Sequence, residues 1–159
     1  SIFSPIQQAI YPYLSNKFNN KVFIYSSILI ISSSVLITVL IIVLDSFISQ
    51  ILLKEIVSSF INTLNILAYL IPVSIVYVLL GAPLLLAKGY IKEFNNSIIY
   101  GFAVHLFLLM LVYLYSTEID TSENLLSLFA YTLIVSKLFV LLLRMYYVYI
   151  HNLHKELIL

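Results

Sequence analysis

Four long apolar runs, with short polar breaks between them, make up most of this chain. They fall at about residues 22–44, 64–87, 97–115 and 125–149. Each reaches or approaches the ~20 residues that a helix needs to cross a ~30 Å hydrocarbon layer. A β-barrel would instead alternate apolar and polar positions in segments of about ten residues. The pattern predicts an all-α integral membrane protein, a single domain over residues 1–159 with four transmembrane helices.

The polar breaks carry their own periodicity. Ser4 followed by Pro5 reads as a helix start. Ile6, Ile10, Tyr13 and Leu14 then share a face, which predicts a short interfacial helix broken near Pro12. The segment lacks the apolar core of a signal peptide. Between the first two runs, Ser46, Gln50, Lys54 and Ser58 recur every four residues, opposite Phe47, Ile51 and Phe60. That spacing predicts an amphipathic surface helix over Ser46 to Asn62, serving as a lipid-seated connector or as a lid or partner surface.

Basic residues orient the spans. With the N-terminus inside, Lys17, Lys21, Lys88, Lys92, Arg144 and Lys155 fall on the inner side and only Lys54 on the outer. This bias predicts both termini inside. The acids Glu118, Asp120 and Glu123 then lie in the outer loop between the third and fourth runs.

Lys137 belongs to neither side. It sits near the middle of the fourth run, where a lysine costs roughly 2.5–3.5 kcal/mol on insertion scales unless a partner receives it. Helical rise places Lys137 roughly 18 Å, His105 roughly 12 Å, Tyr77 roughly 15 Å and Ser74 roughly 20 Å from the inner edge. Ser32, Ser33 and Ser34 of the first span fall at roughly 15–18 Å. The side chains Lys137, His105, Tyr77, Ser74 and Ser33 are thus candidates for one polar level, as a pore lining or as intramembrane contacts. Serines at this depth also suit close helix packing. In the second span Pro72, Gly81 and Pro83 predict a broken helix whose freed carbonyls need partners, either lining a cavity or shaped for packing.

Composition narrows the function classes. Hydrophobic residues make up 62% of the chain and charged residues 9%, against about 25% charged in soluble domains. A net charge of +1 gives no electrostatic case for nucleic acid. There is no cysteine, so disulfides and thiolate metal sites are excluded. Of the histidines, His105 stands alone in a span, and His151 and His154 form only a weak His-x-x-His pattern. No metal site and no cofactor is expected. The common catalytic and nucleotide-binding motifs are absent, and no intramembrane acid accompanies Ser and His, so an enzyme is not expected either.

The overall plan is similar in outline to small four-span proteins of AT-rich bacteria, and to membrane effectors and immunity proteins of bacterial conflict systems. The resemblance rests on size, span count and composition, and carries no residue across. It implies the bacterial cytoplasmic membrane, with the mitochondrial inner membrane as the alternative. Two readings of function follow. One is a homo-oligomeric, channel-like pore whose lysine ring favours anions. The other is a non-conducting interaction protein, an immunity protein or accessory subunit that pairs with another membrane protein. Lipid is a partner in both.

Overall fold

The computed structural model describes residues 11–16, 18–115 and 122–158. The helix start at Ser4 and Pro5, Lys17, and the acids Glu118 and Asp120 lie outside the described residues. Among the described residues the regular structure is all helical, joined by short turns, with no strand. Seven helical elements follow in order: α1 over residues 11–16, α2 (Asn20–Val43), α3 (Asp45–Leu53), α4 (Ser58–Leu79, continued by wider π turns over Leu80–Leu86), α5 (Ile91–Tyr115), α6 (Ser122–Ile150) and α7 (Leu153–Ile158). Four of the helical stretches are long and apolar enough to cross a membrane: Asn20–Val43, Ser58–Leu86, Ile91–Tyr115 and Leu125–Ile150. They cover the four apolar runs of the sequence, but for the last residue of the first two. The four helices are consistent with a membrane location.

Helix α4 is the central element. Of its most apolar stretch, 39% is buried, against 17% for α2, 11% for α5 and 22% for α6. It packs between α2 and α6, and α5 packs against α6 and the π turns. Large apolar side chains such as Leu29, Leu36, Phe107 and Leu142 remain exposed on the outer faces. In water that surface would be unstable; in hydrocarbon it costs nothing.

Close approach at the interfaces uses small residues. Ser34 and Thr38 are buried on α2, Ser97 and Gly101 on α5, and Thr132 and Ser136 on α6. Each pair is four residues apart and so lies on one helix face. At Gly101 an added methyl group would run into Val140 Cγ2.

Pro72 illustrates how a break in α4 is satisfied. Having no N–H, it cannot bond the carbonyl of Ala68, four residues earlier. The Thr38 hydroxyl of α2 donates to that carbonyl at 3.1 Å, while also reaching Ser34 O in its own helix at 3.0 Å. Lower in α4, Gly81 leaves helical conformation (φ −76, ψ −108), and Pro83 follows. The backbone then bonds five residues back, from Ala87 N–H to Ala82 O at 3.1 Å and from Tyr90 N–H to Leu85 O at 2.8 Å.

One end of the bundle is tied together by apolar and polar contacts. Leu14, Phe23, Leu84, Leu85, Val148 and Leu153 form a buried cluster that joins α1, α2, the π turns, α6 and α7. Lys88 Nζ pairs with Glu156 Oε2 at 2.8 Å, and Asn20 Nδ2 donates to the Glu156 carbonyl. The described ends of the chain therefore share one end of the bundle. At the other end, Asn65 Nδ2 donates to Asp45 Oδ2 at 2.9 Å.

Residues 11–16 are helical, with Pro12 in the first described turn; the chain before it, where the expected break near Pro12 would show, lies outside the described residues. One expected detail differs. The connector between α2 and α4 is not one helix from Ser46 to Asn62. It stops at Leu53, Lys54 takes a left-handed backbone (φ 61), and α4 starts at Ser58. Ser49 explains the stop. Its buried hydroxyl donates to Glu55 O at 2.9 Å and accepts Val57 N–H at 3.1 Å, which clasps the turn. The four-residue polar spacing did not include Ser49, the residue that turns inward.

Candidate functional site

A cleft of about 480 Å³ lies between α4, α5 and α6. Its polar lining consists of Tyr77, His105, Ser136, Lys137 and Arg144. The remaining lining is apolar, and Ile98 and Phe102 there are exposed, so the cleft opens sideways onto the outer face of the bundle. Among the described residues no carboxylate lines it.

Lys137 projects from α6 toward α4. Its Nζ donates to the Tyr77 hydroxyl at 3.0 Å and lies 4.7 Å from the centre of that ring. Tyr77 is thus the receiver that a mid-span lysine requires.

Arg144 lies seven residues further along α6, two helical turns away and on the same face. It is 97% buried, being 3% exposed, even though it stands inside a span. The fold satisfies its guanidinium from two helices. Nε donates to Ser97 Oγ of α5 at 2.9 Å, and Nη1 donates to the Tyr77 carbonyl of α4. Ser97 in turn donates to Phe94 O at 2.6 Å, so its oxygen is oriented to accept. The rings of Phe94 and Tyr77 lie 5.1 and 5.3 Å from the guanidinium carbon, within cation–π range. Gly81 makes the approach possible, because a methyl group there would run into Nη1. The step in the α4 backbone and the buried arginine thus belong to one arrangement.

His105 faces the same cleft from α5, and its Nδ1 is buried without a partner among the described residues. Such a nitrogen asks for water or a ligand.

The structure brings Lys137, His105 and Tyr77 to one place. It does not bring Ser74 or Ser33 there. Ser74 is half-buried on α4 outside the cleft lining. Ser33 is exposed on α2 and donates to Leu29 O of its own helix at 2.8 Å. Helix α2 packs on α4, away from the cleft, and spends its buried polar face, Ser34 and Thr38, on that contact. Of the residues expected to break the helix, Gly81 is buried against Arg144 and Phe94 of the cleft lining, Pro83 is fully buried in the π turns, and Pro72 serves the α2–α4 interface.

Arg144 is the residue that sequence reasoning missed as a site member. It counted there only as an inner-side charge. The signal for it was the seven-residue spacing from Lys137. His151 and His154 do not act together. His151 Nε2 lies 3.3 Å from Glu93 Oε1 and its ring packs on Tyr90, while His154 stacks on Tyr149.

The site therefore offers two basic side chains and a histidine in a largely apolar, laterally open cleft. No family model, curated protein or solved structure matches the chain.

Proposed function

We propose that this chain is a non-conducting interaction protein of the membrane, which works by holding a ligand or partner and not by passing ions or by catalysis. The observation that carries this reading is the direction of its polar groups. Lys137, Arg144, His105 and Tyr77 turn into a cleft bounded by three helices of one chain. A pore lining would instead present such groups along a water path through the membrane. The outward faces of the spans are dominated by exposed apolar residues, which suit lipid, a second copy or a partner membrane protein. In outline this is the plan of an immunity protein or an accessory subunit.

Both chain ends face the inner side, by the lysine and arginine bias, in the bacterial cytoplasmic membrane. The meeting of α1 and α7 at one end of the bundle supports a common side for the two ends. Helix α3 lies along the outer membrane surface, its apolar Phe47, Ile51 and Leu52 exposed to lipid.

Planar-bilayer recording on purified protein of measured oligomer size tests the reading. No steady unitary current is expected. Reproducible currents whose anion preference reverses in Lys137→Glu would overturn it and restore the pore.

A further inference from the structure

We propose that the α4–α5–α6 cleft binds an anionic amphiphile, an acyl chain carrying a carboxylate or phosphate head. The inference rests on the non-conducting reading and deepens it by naming the ligand class.

Three observations carry it. First, the cleft collects basic groups without a counter-charge. Lys137 and Arg144 share one face of α6, no acid lines the cleft, and neither enters an ion pair among the described residues. Arg144 is held by neutral oxygens, those of Ser97 and Tyr77. Lys137 has the neutral Tyr77 hydroxyl. A positive charge in this setting lacks an anion that the chain does not supply, and an anionic head supplies it with short, charge-assisted hydrogen bonds. Second, His105 lines the cleft, and its buried Nδ1 has no hydrogen-bond partner among the described residues, so a polar group of the cleft remains to be satisfied. Third, the cleft opens sideways between exposed apolar residues, Ile98 and Phe102. A tail leaves by that route into the bilayer without crossing water.

Size favours a lipid-like molecule over a partner helix. The ~480 Å³ volume falls within the roughly 300–1,000 Å³ of small-molecule pockets. A transmembrane helix, about 10–12 Å across, needs a groove along its whole length. The lining runs from Leu133 to Arg144 on α6, about three helical turns, which is well short of a full span.

The test uses the full-length chain purified in a neutral detergent, with retained molecules counted by native mass spectrometry. Oleate, phosphatidylglycerol and inorganic phosphate are offered separately, each against phosphatidylcholine. One tailed anion is expected to be retained at least tenfold over phosphatidylcholine, and inorganic phosphate poorly. Preference for oleate identifies a fatty carboxylate, and preference for phosphatidylglycerol a lipid phosphate. Lys137→Met should abolish the preference and Lys137→Arg should keep it, while Lys54→Met, far from the cleft, should change nothing. Circular dichroism checks that each variant is folded; if Lys137→Met is not, Lys137→Gln takes its place. Equal retention of all lipids, a preference that survives loss of Lys137, or phosphate held as well as the tailed anions would overturn the proposal. Loss of the lipid preference in a protein that passes no current sinks only this inference. A current in the bilayer sinks the reading beneath it.

Discussion

The ammonium of Lys137 donates to the hydroxyl of Tyr77 at 3.0 Å, joining α6 to α4. The hydroxyl is neutral, so the pair is a hydrogen bond and not a salt bridge. Inter-helix hydrogen bonds in membranes average about 0.6 kcal/mol and reach about 1.7 kcal/mol. Tyr77→Phe should lose about that much stability in detergent unfolding, since it removes the acceptor and keeps the ring. In a Lys137→Met background the same change should cost close to nothing. Equal costs in both backgrounds would show that the bond contributes no stability.

Thr38 and Pro72 form a second coupled pair. The Thr38 hydroxyl serves the Ala68 carbonyl because Pro72 has no N–H to offer it. Thr38→Val should therefore destabilise the wild type by about 1 kcal/mol, the usual cost of a buried carbonyl losing its donor. After Pro72→Ala the new N–H reaches Ala68, and Thr38→Val should become nearly neutral. A double-mutant cycle on unfolding free energies measures the coupling. Additive costs would mean that Thr38 acts only within α2.

Much of this was legible in the chain. Length and apolarity alone define the four candidate spans, because few alternatives can hide so much hydrocarbon. Gly81 and Pro83 announced the backbone step by local chemistry, whereas α4 runs on as helix through Pro72, where a break was also expected. Helical rise placed Lys137, Tyr77 and His105 near one depth, and they do share a cleft. Depth, however, is not azimuth. Ser33 lies near the same level, yet faces outward on a helix that never reaches the cleft. Arg144 looked like an edge charge, because its partners, the Ser97 hydroxyl and the Tyr77 carbonyl, come from other helices and from a backbone step. Ser49 was hidden for a similar reason: its partners are backbone groups of a turn that it helps to create.

Asp45 gives a pH prediction. It is the first residue of α3, outside the spans, and its carboxyl is held below the ordinary carboxylate range by hydrogen bonds from Asn65 first and Ser46 second. A lowered folded value means that its contribution is fully present above the unfolded value, about pH 3.9. It is lost as pH falls through the folded value. Thermal unfolding in detergent at acid pH should show wild type losing stability relative to Asp45→Asn as pH drops below about 4. Parallel curves for the two proteins would remove Asp45 from the account of acid stability.

The central structural claim is that the basic cleft closes within one chain, between α5 and α6 packed on α4. A cysteine pair tests this directly, and the chain contains no other cysteine. A Cβ at Gly101 would stand 3.7 Å from Val140 Cβ, within the roughly 3.5–4.5 Å span of a disulfide. Val140→Cys also removes the methyl group that a side chain at Gly101 would meet. The measurement is mild oxidation of Gly101→Cys/Val140→Cys in native membranes, followed by non-reducing electrophoresis. A monomer of altered, reductant-sensitive mobility is the expected result. A bond that forms only between two chains, or none at all under conditions that oxidise exposed control cysteines, would contradict a cleft built within the protomer.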